Sequence, residues 1–357
     1  MRQLSSGLMP MPMEAYLLGK NLEAPLYMPA DDTRLYAMCR EAFFAAIQAT
    51  PSHHKRAILP AYTCETCIMP FVQQGWTCSY YGVGKDLRID TEYLLKLAEL
   101  IRPEIVLVHP YYGMDLNEKE LDALAKVKAM TGCVIIEDLT QTLFSKLRTD
   151  VIDVYVGSMR KWFPTADGGY AITTKLELAP TEDLAEFTPY VDNMTDAMCM
   201  RECYEQYGDT RMRTAASHFN ARATAIGRQK IELHRMSDFS RRIVAAENWE
   251  ENNRKRRENS IYLYEKLQGA KNCTLVYSDV SEIANGPLWF PIYADRAAIR
   301  PILREYQIAA PGLWPVETAA VQLNPTVDEI YSTILALSMS QDYTQEDLDR
   351  IVACMNA

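Results

Sequence analysis

The chain has 357 residues, 48% of them hydrophobic and 24% charged, and a formal net charge of −10. This is the composition of a soluble globular protein, and the length exceeds what one hydrophobic core serves, so a large domain plus a smaller one is expected. The acidic balance argues against a broad nucleic-acid-binding surface, which needs clustered Lys and Arg, and no stretch approaches the ~20 apolar residues of a membrane span.

The Met/Pro-rich start, Met1 to Met13, lacks the basic, apolar and small-residue succession of a secretory leader. Leu35, Cys39, Ala42, Phe43, Ala46 and Ile47 recur at helical spacing and predict a helix. Ala57 to Tyr62 reads as a short buried strand and Thr77 to Gly82 as a second. Between them Cys64 and Cys67 form a C-x-x-C, which together with Cys199 and Cys203 has the residue types of a zinc site. Its position, after a strand and at a helix start, favours packing, and no metal is expected. The nine cysteines are odd in number and irregularly spaced, as suits reduced thiols in a cytoplasmic protein.

Glu92 to Ile101 predicts a helix, Ile105 to Val108 a strand, and Asn117 to Met130 another helix. Asn117 and Glu120 resemble a capping box at its start, and Gly132 ends it. Cys133 to Ile136, Val154 to Val156 and Tyr170 to Thr173 complete a strand series. β-Branched strands alternating with helices imply an α/β fold with a mostly parallel sheet and helices on both faces. Ligands in such sheets meet polar residues just past strand C-termini, which singles out His109, Asp138 and Ser158.

Residues 175 to 235 are rich in Met, Arg and Ala and read as helical. One long amphipathic helix is expected from Phe239 to Leu267, its basic run Arg254 to Arg257 being a solvated face. Leu288 to Tyr293 reads as a strand and Arg296 to Tyr306 as a helix. A last helix starts at Thr344, with Asp347 in its first turn and Leu348, Ile351, Val352 and Met355 on its apolar face. A composition change near residue 240 sets the expected boundary between a large domain, 1–240, and a smaller α+β domain, 241–357. Trp289, Trp314 and the segment Pro311 to Pro315 suit core packing more than a pocket.

Three stretches carry chemistry: Ile135 to Gln141, ending a strand in a carboxylate; Val156 to Trp162, with Ser158 three residues before Lys161; and the turn Asp167-Gly168-Gly169. Pyridoxal phosphate needs such a set. A lysine condenses with its aldehyde, a carboxylate keeps its ring nitrogen protonated, and hydroxyls with backbone N–H groups hold its phosphate. Lys161, Asp138 and Ser158 supply these types.

In these stretches the chain resembles the DegT/StrS-type nucleotide-sugar aminotransferases, within the fold-type-I pyridoxal-phosphate enzymes. Glu137-Asp138-Leu139-Thr140-Gln141 matches the family's E-D-x-x-Q, and Ser158-Met159-Arg160-Lys161 its S-x-x-K. Leu59 to Thr63, Val108 to Gly113, and Gln341 to Thr344 followed by Asp347 resemble further family segments. The resemblance implies that Lys161 carries the cofactor as a Schiff base and Asp138 holds its pyridine nitrogen. It puts Thr140 under the ring, Gln141 near the phenolate oxygen, Ser158 on the phosphate, and Thr63 and His109 beside the cofactor. Where many members have Gly-Thr as phosphate cup, this chain has Met38-Cys39-Arg40, so the N–H groups of Cys39 and Arg40 are expected to serve. Where an aromatic stacks on the ring, Cys64 stands here. Phe219-Asn220-Ala221-Arg222 resembles a loop that crosses to the other subunit's phosphate, which makes Asn220 a cofactor candidate.

The implied protein is a cytoplasmic homodimer moving an amino group from an amino acid, glutamate by analogy, to a keto acceptor of the nucleotide-linked keto-sugar class. A pyridoxal-phosphate dehydratase or lyase, and a non-catalytic protein on the same fold, stay open as alternatives.

Overall fold

The computed structural model describes Leu4, residues 8–314 and residues 324–357. By its internal contacts the chain divides into two units. The first comprises Pro51–Asp153 and Trp249–Ala357, with Leu4; the second comprises Gly7–Thr50 and Val154–Asn248.

In chain order, α1 (Met13–Lys20), β1 (Thr33–Tyr36) and α2 (Cys39–Ala49) belong to the second unit. The first unit then takes β2 (Arg56–Pro60), α3 (Glu65–Gln73), β3 (Thr77–Tyr81), α4 (Thr91–Ile101), β4 (Ile105–Val108), α5 (Glu118–Thr131) and β5 (Val134–Asp138). The second resumes with β6 (Val154–Ser158), β7 (Gly169–Ile172), α6 (Thr188–Tyr207), α7 (Thr210–Gly227) and α8 (Asp238–Ala246). The first closes with α9 (Trp249–Lys266), β8 (Thr274–Leu275), β9 (Trp289–Tyr293), α10 (Arg296–Glu305), α11 (Pro325–Thr333), β10 (Ile334–Ser338) and α12 (Gln345–Asn356).

The first unit holds four parallel strands in the order β5-β4-β2-β3. Every residue of β4 is buried, which is why its sequence is a continuous aliphatic run rather than an alternating one. α5 is held at its start by the expected capping box between Asn117 and Glu120 and stopped by Gly132, whose φ of 71° is left-handed. After β3 the chain returns past β2 to lay down β4, so β2 and β4 flank a point where strand order reverses. Polar residues past their ends are the ones such a sheet offers a ligand. A second, small antiparallel sheet, β10-β9-β8, belongs to the same unit. α12 begins with a second capping box, Thr344 with Asp347, and buries Leu348, Ile351, Cys354 and Met355, while Val352 is half-exposed.

In the second unit β7 pairs antiparallel with both β1 and β6. Two helical expectations are corrected here. Leu35 lies in β1, opposite Tyr170, and the helix starts only at Cys39 after Met38. The apolar positions from Leu35 to Ile47 fit a helical period although the first is a strand residue. The single helix expected from Phe239 to Leu267 is two, because Glu247 takes an extended conformation, ψ 135°. α8 buries Ile243 and Val244 in the second unit, and α9 buries Leu263 in the first. One continuous amphipathic pattern thus serves two cores. No described helix is long and apolar enough to cross a membrane.

Candidate active site

Asp138 ends β5 and is buried. Its Oδ1 accepts the Thr140 N–H at 2.9 Å, which closes the short 3-10 turn Leu139–Gln141. Its Oδ2 lies 3.1 Å from His109 Nδ1 and accepts the Cys67 thiol at 3.4 Å. Burial works to raise this carboxyl, but the His109 charge and the hydrogen bonds from His109 and Thr140 outweigh it and hold Asp138 below the usual carboxylate range. Its neighbour goes the other way: burial first, then the Asp115, Asp138 and Glu120 carboxylates, push Glu137 up to about 8. At neutral pH one buried carboxylate of the pair is ionised and the other protonated.

Around Asp138 two buried groups present nitrogens that have no partner among the described residues. The Gln141 carbonyl oxygen accepts the Tyr112 N–H at 3.0 Å, and its amide nitrogen has no partner. His109 Nε2 has none either. Buried polar groups are nearly always satisfied, so an unpaired donor here fits a ligand atom. Tyr112 reaches Gln141 from a left-handed backbone, φ 50°, followed by Gly113 at 77°. A Cβ on Gly113 would come within 2.8 Å of the Asn285 carbonyl oxygen, so the turn requires glycine. The His109 ring packs edge-on against Tyr111, 4.8 Å between centroids, and 5.2 Å from Trp314. Trp314 lies 4.8 Å from Tyr62. Thr63, after β2, donates its N–H to the Tyr331 hydroxyl at 3.3 Å, and its own hydroxyl is buried without a partner among the described residues.

In the second unit Ser158 is the buried last residue of β6. The chain then makes a 3-10 turn, Met159–Lys161. The turn is pinned on both sides: Met159 N–H donates to the Gly168 carbonyl at 2.9 Å, and Trp162 N–H to the Met159 carbonyl at 2.8 Å. Trp162 and Phe163 are buried and anchor it, as packing residues should, while Lys161 is half-buried. Gly169 lets β7 pass against the start of α2; a Cβ there would fall 2.2 Å from the Met38 carbonyl carbon and 2.4 Å from Cys39 N. Met38 is an N-cap without a side-chain hydrogen bond, and its carbonyl oxygen accepts the Glu41 N–H at 3.0 Å. That start fits a phosphate. Asp167, fully buried, accepts the Ser237 N–H at 2.8 Å and its hydroxyl at 2.6 Å.

The first unit therefore holds Thr63, His109, Asp138, Thr140 and Gln141, of which His109 and Thr140 contact Asp138 directly, with Cys64 as N-cap of α3. The second holds Cys39, Arg40, Ser158, Lys161 and Asn220. Asn220 needs a correction of setting: Phe219 to Arg222 lies inside α7, not in a loop, because Asp209 caps a helix that runs unbroken to Gly227. Sequence reading missed Tyr112, which orients the Gln141 amide, and Cys67, which touches Asp138; the C-x-x-C spacing was the signal for the latter. Trp314 packs among Tyr62, His109 and Tyr111; Pro315, the end of that segment, lies outside the described residues. A cleft of about 700 Å³ in the first unit, lined in part by Arg88, Lys96 and Lys119, contains none of the candidates.

No protein-family model matches the chain, and no curated protein matches it in sequence. Solved structures do. An aminotransferase of Helicobacter pylori, PseC, involved in the biosynthesis of pseudoaminic acid, is similar at a TM-score of 0.66 and 13% identity, covering 99% of this chain and 98% of that one. A DegT DnrJ EryC1 StrS aminotransferase from Brucella abortus gives 0.63 at 16%, covering 96% and 88%. NtdA from Bacillus subtilis, solved with bound cofactor PMP, gives 0.64 at 15%, covering 98% and 78%. Across nearly its whole length, this chain has the fold of those aminotransferases.

Proposed function

We propose that the chain is a pyridoxal-phosphate-dependent aminotransferase acting on an amino acid donor, glutamate by analogy, and a keto acceptor of the nucleotide-linked keto-sugar class. The observation that carries it is Asp138: a fully buried carboxylate kept ionised by His109, at a strand end beside an unpaired Gln141 donor. A buried anion fixed in this way suits a cationic ring nitrogen. The shared fold supports the same reading, since NtdA is described with PMP bound and PseC as an aminotransferase.

The cofactor, when bound, supplies an electron-withdrawing ring that acidifies the donor's α-carbon. The chain's residues do the rest. Asp138 would retain the proton on the ring nitrogen, and the Gln141 amide nitrogen would donate to the phenolate oxygen. Thr140, Thr63, Cys64 and His109 would hold the ring. Ser158 and the N–H groups of Cys39 and Arg40 hold the phosphate, with Asn220 as a further phosphate contact. Lys161 Nζ would hold the cofactor covalently and would move the proton at the donor's α-carbon. We also propose a homodimer in the cytoplasm, and a division of labour between a cofactor-binding part, 1–240, and a smaller part, 241–357.

The test is the visible absorption spectrum of the purified chain with added pyridoxal phosphate, before and after excess glutamate. A visible band that bleaches with glutamate is expected, and Lys161→Ala should never develop it. A band that persists in Lys161→Ala removes that lysine from the reading. No band in the unmodified chain overturns the cofactor.

A further inference from the structure

Cys64 and Cys67 lie in a β2-α3-β3 unit whose two strands are parallel, with Cys64 as the N-cap of α3 and Cys67 three residues into its first turn. The Cys67 N–H donates to the Cys64 carbonyl at 2.9 Å, closing one tight turn around the pair. N-cap and third helical residue are the positions whose side chains meet in a capping box. A C-x-x-C at a helix start in a βαβ setting is the arrangement in which thiols act as a redox couple. Pro70 has no N–H to give the Thr66 carbonyl, so one of the bonds from this turn to the next is missing. Exposure separates their roles: Cys64 is half-exposed, with its sulfur 3.0 Å from the Thr66 hydroxyl, and Cys67 is buried. The Cys67 thiol hydrogen points at Asp138 Oδ2, 3.4 Å away.

We propose that Cys64 and Cys67 are a reversible dithiol–disulfide switch wired to Asp138. The co-reactant is a low-molecular-weight disulfide, RSSR. The Cys64 thiolate attacks one of its sulfurs, forming a mixed disulfide and releasing one RSH. The Cys67 sulfur then attacks Cys64, the second RS⁻ leaves and takes the remaining thiol proton. Two protein thiols are oxidised and one RSSR is reduced to two RSH. Oxidation consumes the hydrogen that Cys67 donates to Asp138, so this carboxylate keeps His109 and Thr140 but loses the Cys67 hydrogen bond. The switch rests on the chain's own thiols and stands whether or not the proposed cofactor binds.

The experiment equilibrates the full chain in glutathione redox buffers, quenches with acid, alkylates remaining thiols under denaturing conditions and maps the peptides by mass spectrometry. Loss of two of the nine alkylatable thiols as a Cys64–Cys67 bridge, restored by dithiothreitol, is the expected result. Cys67→Ser should stop at a glutathione adduct on Cys64. Full alkylation of both residues in oxidising buffer, or bridges that join other cysteines instead, overturns the switch. The wiring is read from the His109 imidazole by nitrogen-15 NMR. Its resonance should shift on oxidation of the natural chain and stay fixed in the Cys64→Ser/Cys67→Ser double variant. An unmoved His109 in the oxidised natural chain overturns the link to Asp138.

Discussion

At the scale of single residues, neighbouring carboxyls are set apart by what each touches. Asp138 has His109, and Glu137 has only burial and other acids. Asp138→Ala is expected to lower turnover by about a hundredfold or more in a steady-state assay while the circular dichroism spectrum is kept; near-normal turnover would take Asp138 out of the proposed chemistry. Asp167 makes a prediction about stability rather than rate. Its burial outweighs the hydrogen bonds from Ser237 and Ser240 and raises its carboxyl to about 6. The folded chain therefore holds this proton more tightly than the unfolded one. The resulting stabilisation is complete below the unfolded value of 3.8 and is lost as pH rises through about 6. At about 1.4 kcal/mol per pKa unit this is of the order of 3 kcal/mol. Denaturant titrations from pH 4 to pH 7 should show that decline in the natural chain and a flatter profile in Asp167→Asn. The site residues at strand ends were legible because each stretch couples a strand to a reactive type. The Asp138–Cys67 contact was not, because 71 residues separate the partners and only the packing of α3 brings them together.

At the scale of elements, helices with a chemical stop and start could be read directly. Asn117, Glu120 and Gly132 mark α5, and Thr344 with Asp347 marks α12. Asn117→Ala removes the oxygen that takes the Glu120 N–H and should cost about 1 kcal/mol by chemical denaturation. An unchanged midpoint would mean that packing alone holds that helix end. Gly169→Ala is a harsher change. Its new methyl would fall on the backbone of Met38 and Cys39, and a loss of about 3 kcal/mol is expected, measurable as a lowered Tm. β1 and the break between α8 and α9 were illegible for a common reason. A periodic run of apolar residues reports that something is buried, not in which core, so Leu35 and the Phe239–Leu267 stretch read as helix throughout.

At the scale of the whole molecule, alternating strands and helices announced a mostly parallel sheet, and the first unit contains four such strands with helices between them. The likeness to solved aminotransferases at 13 to 16% identity gives that fold over almost the full chain. So little identity suffices because burial and strand order, rather than residue identities, define a fold. What the sequence concealed is how its segments are shared out. The first unit is completed only by residues from Trp249 onward, whereas the second is complete at Asn248. During synthesis, then, β2 to β5 leave the ribosome before the C-terminal segments of their own unit exist, while the second unit acquires all its segments first. A nascent chain stalled just past Asn248 should protect α6 and α7 from protease before it protects β4, which makes this protein dependent on whatever shields an unfinished parallel sheet in the cell.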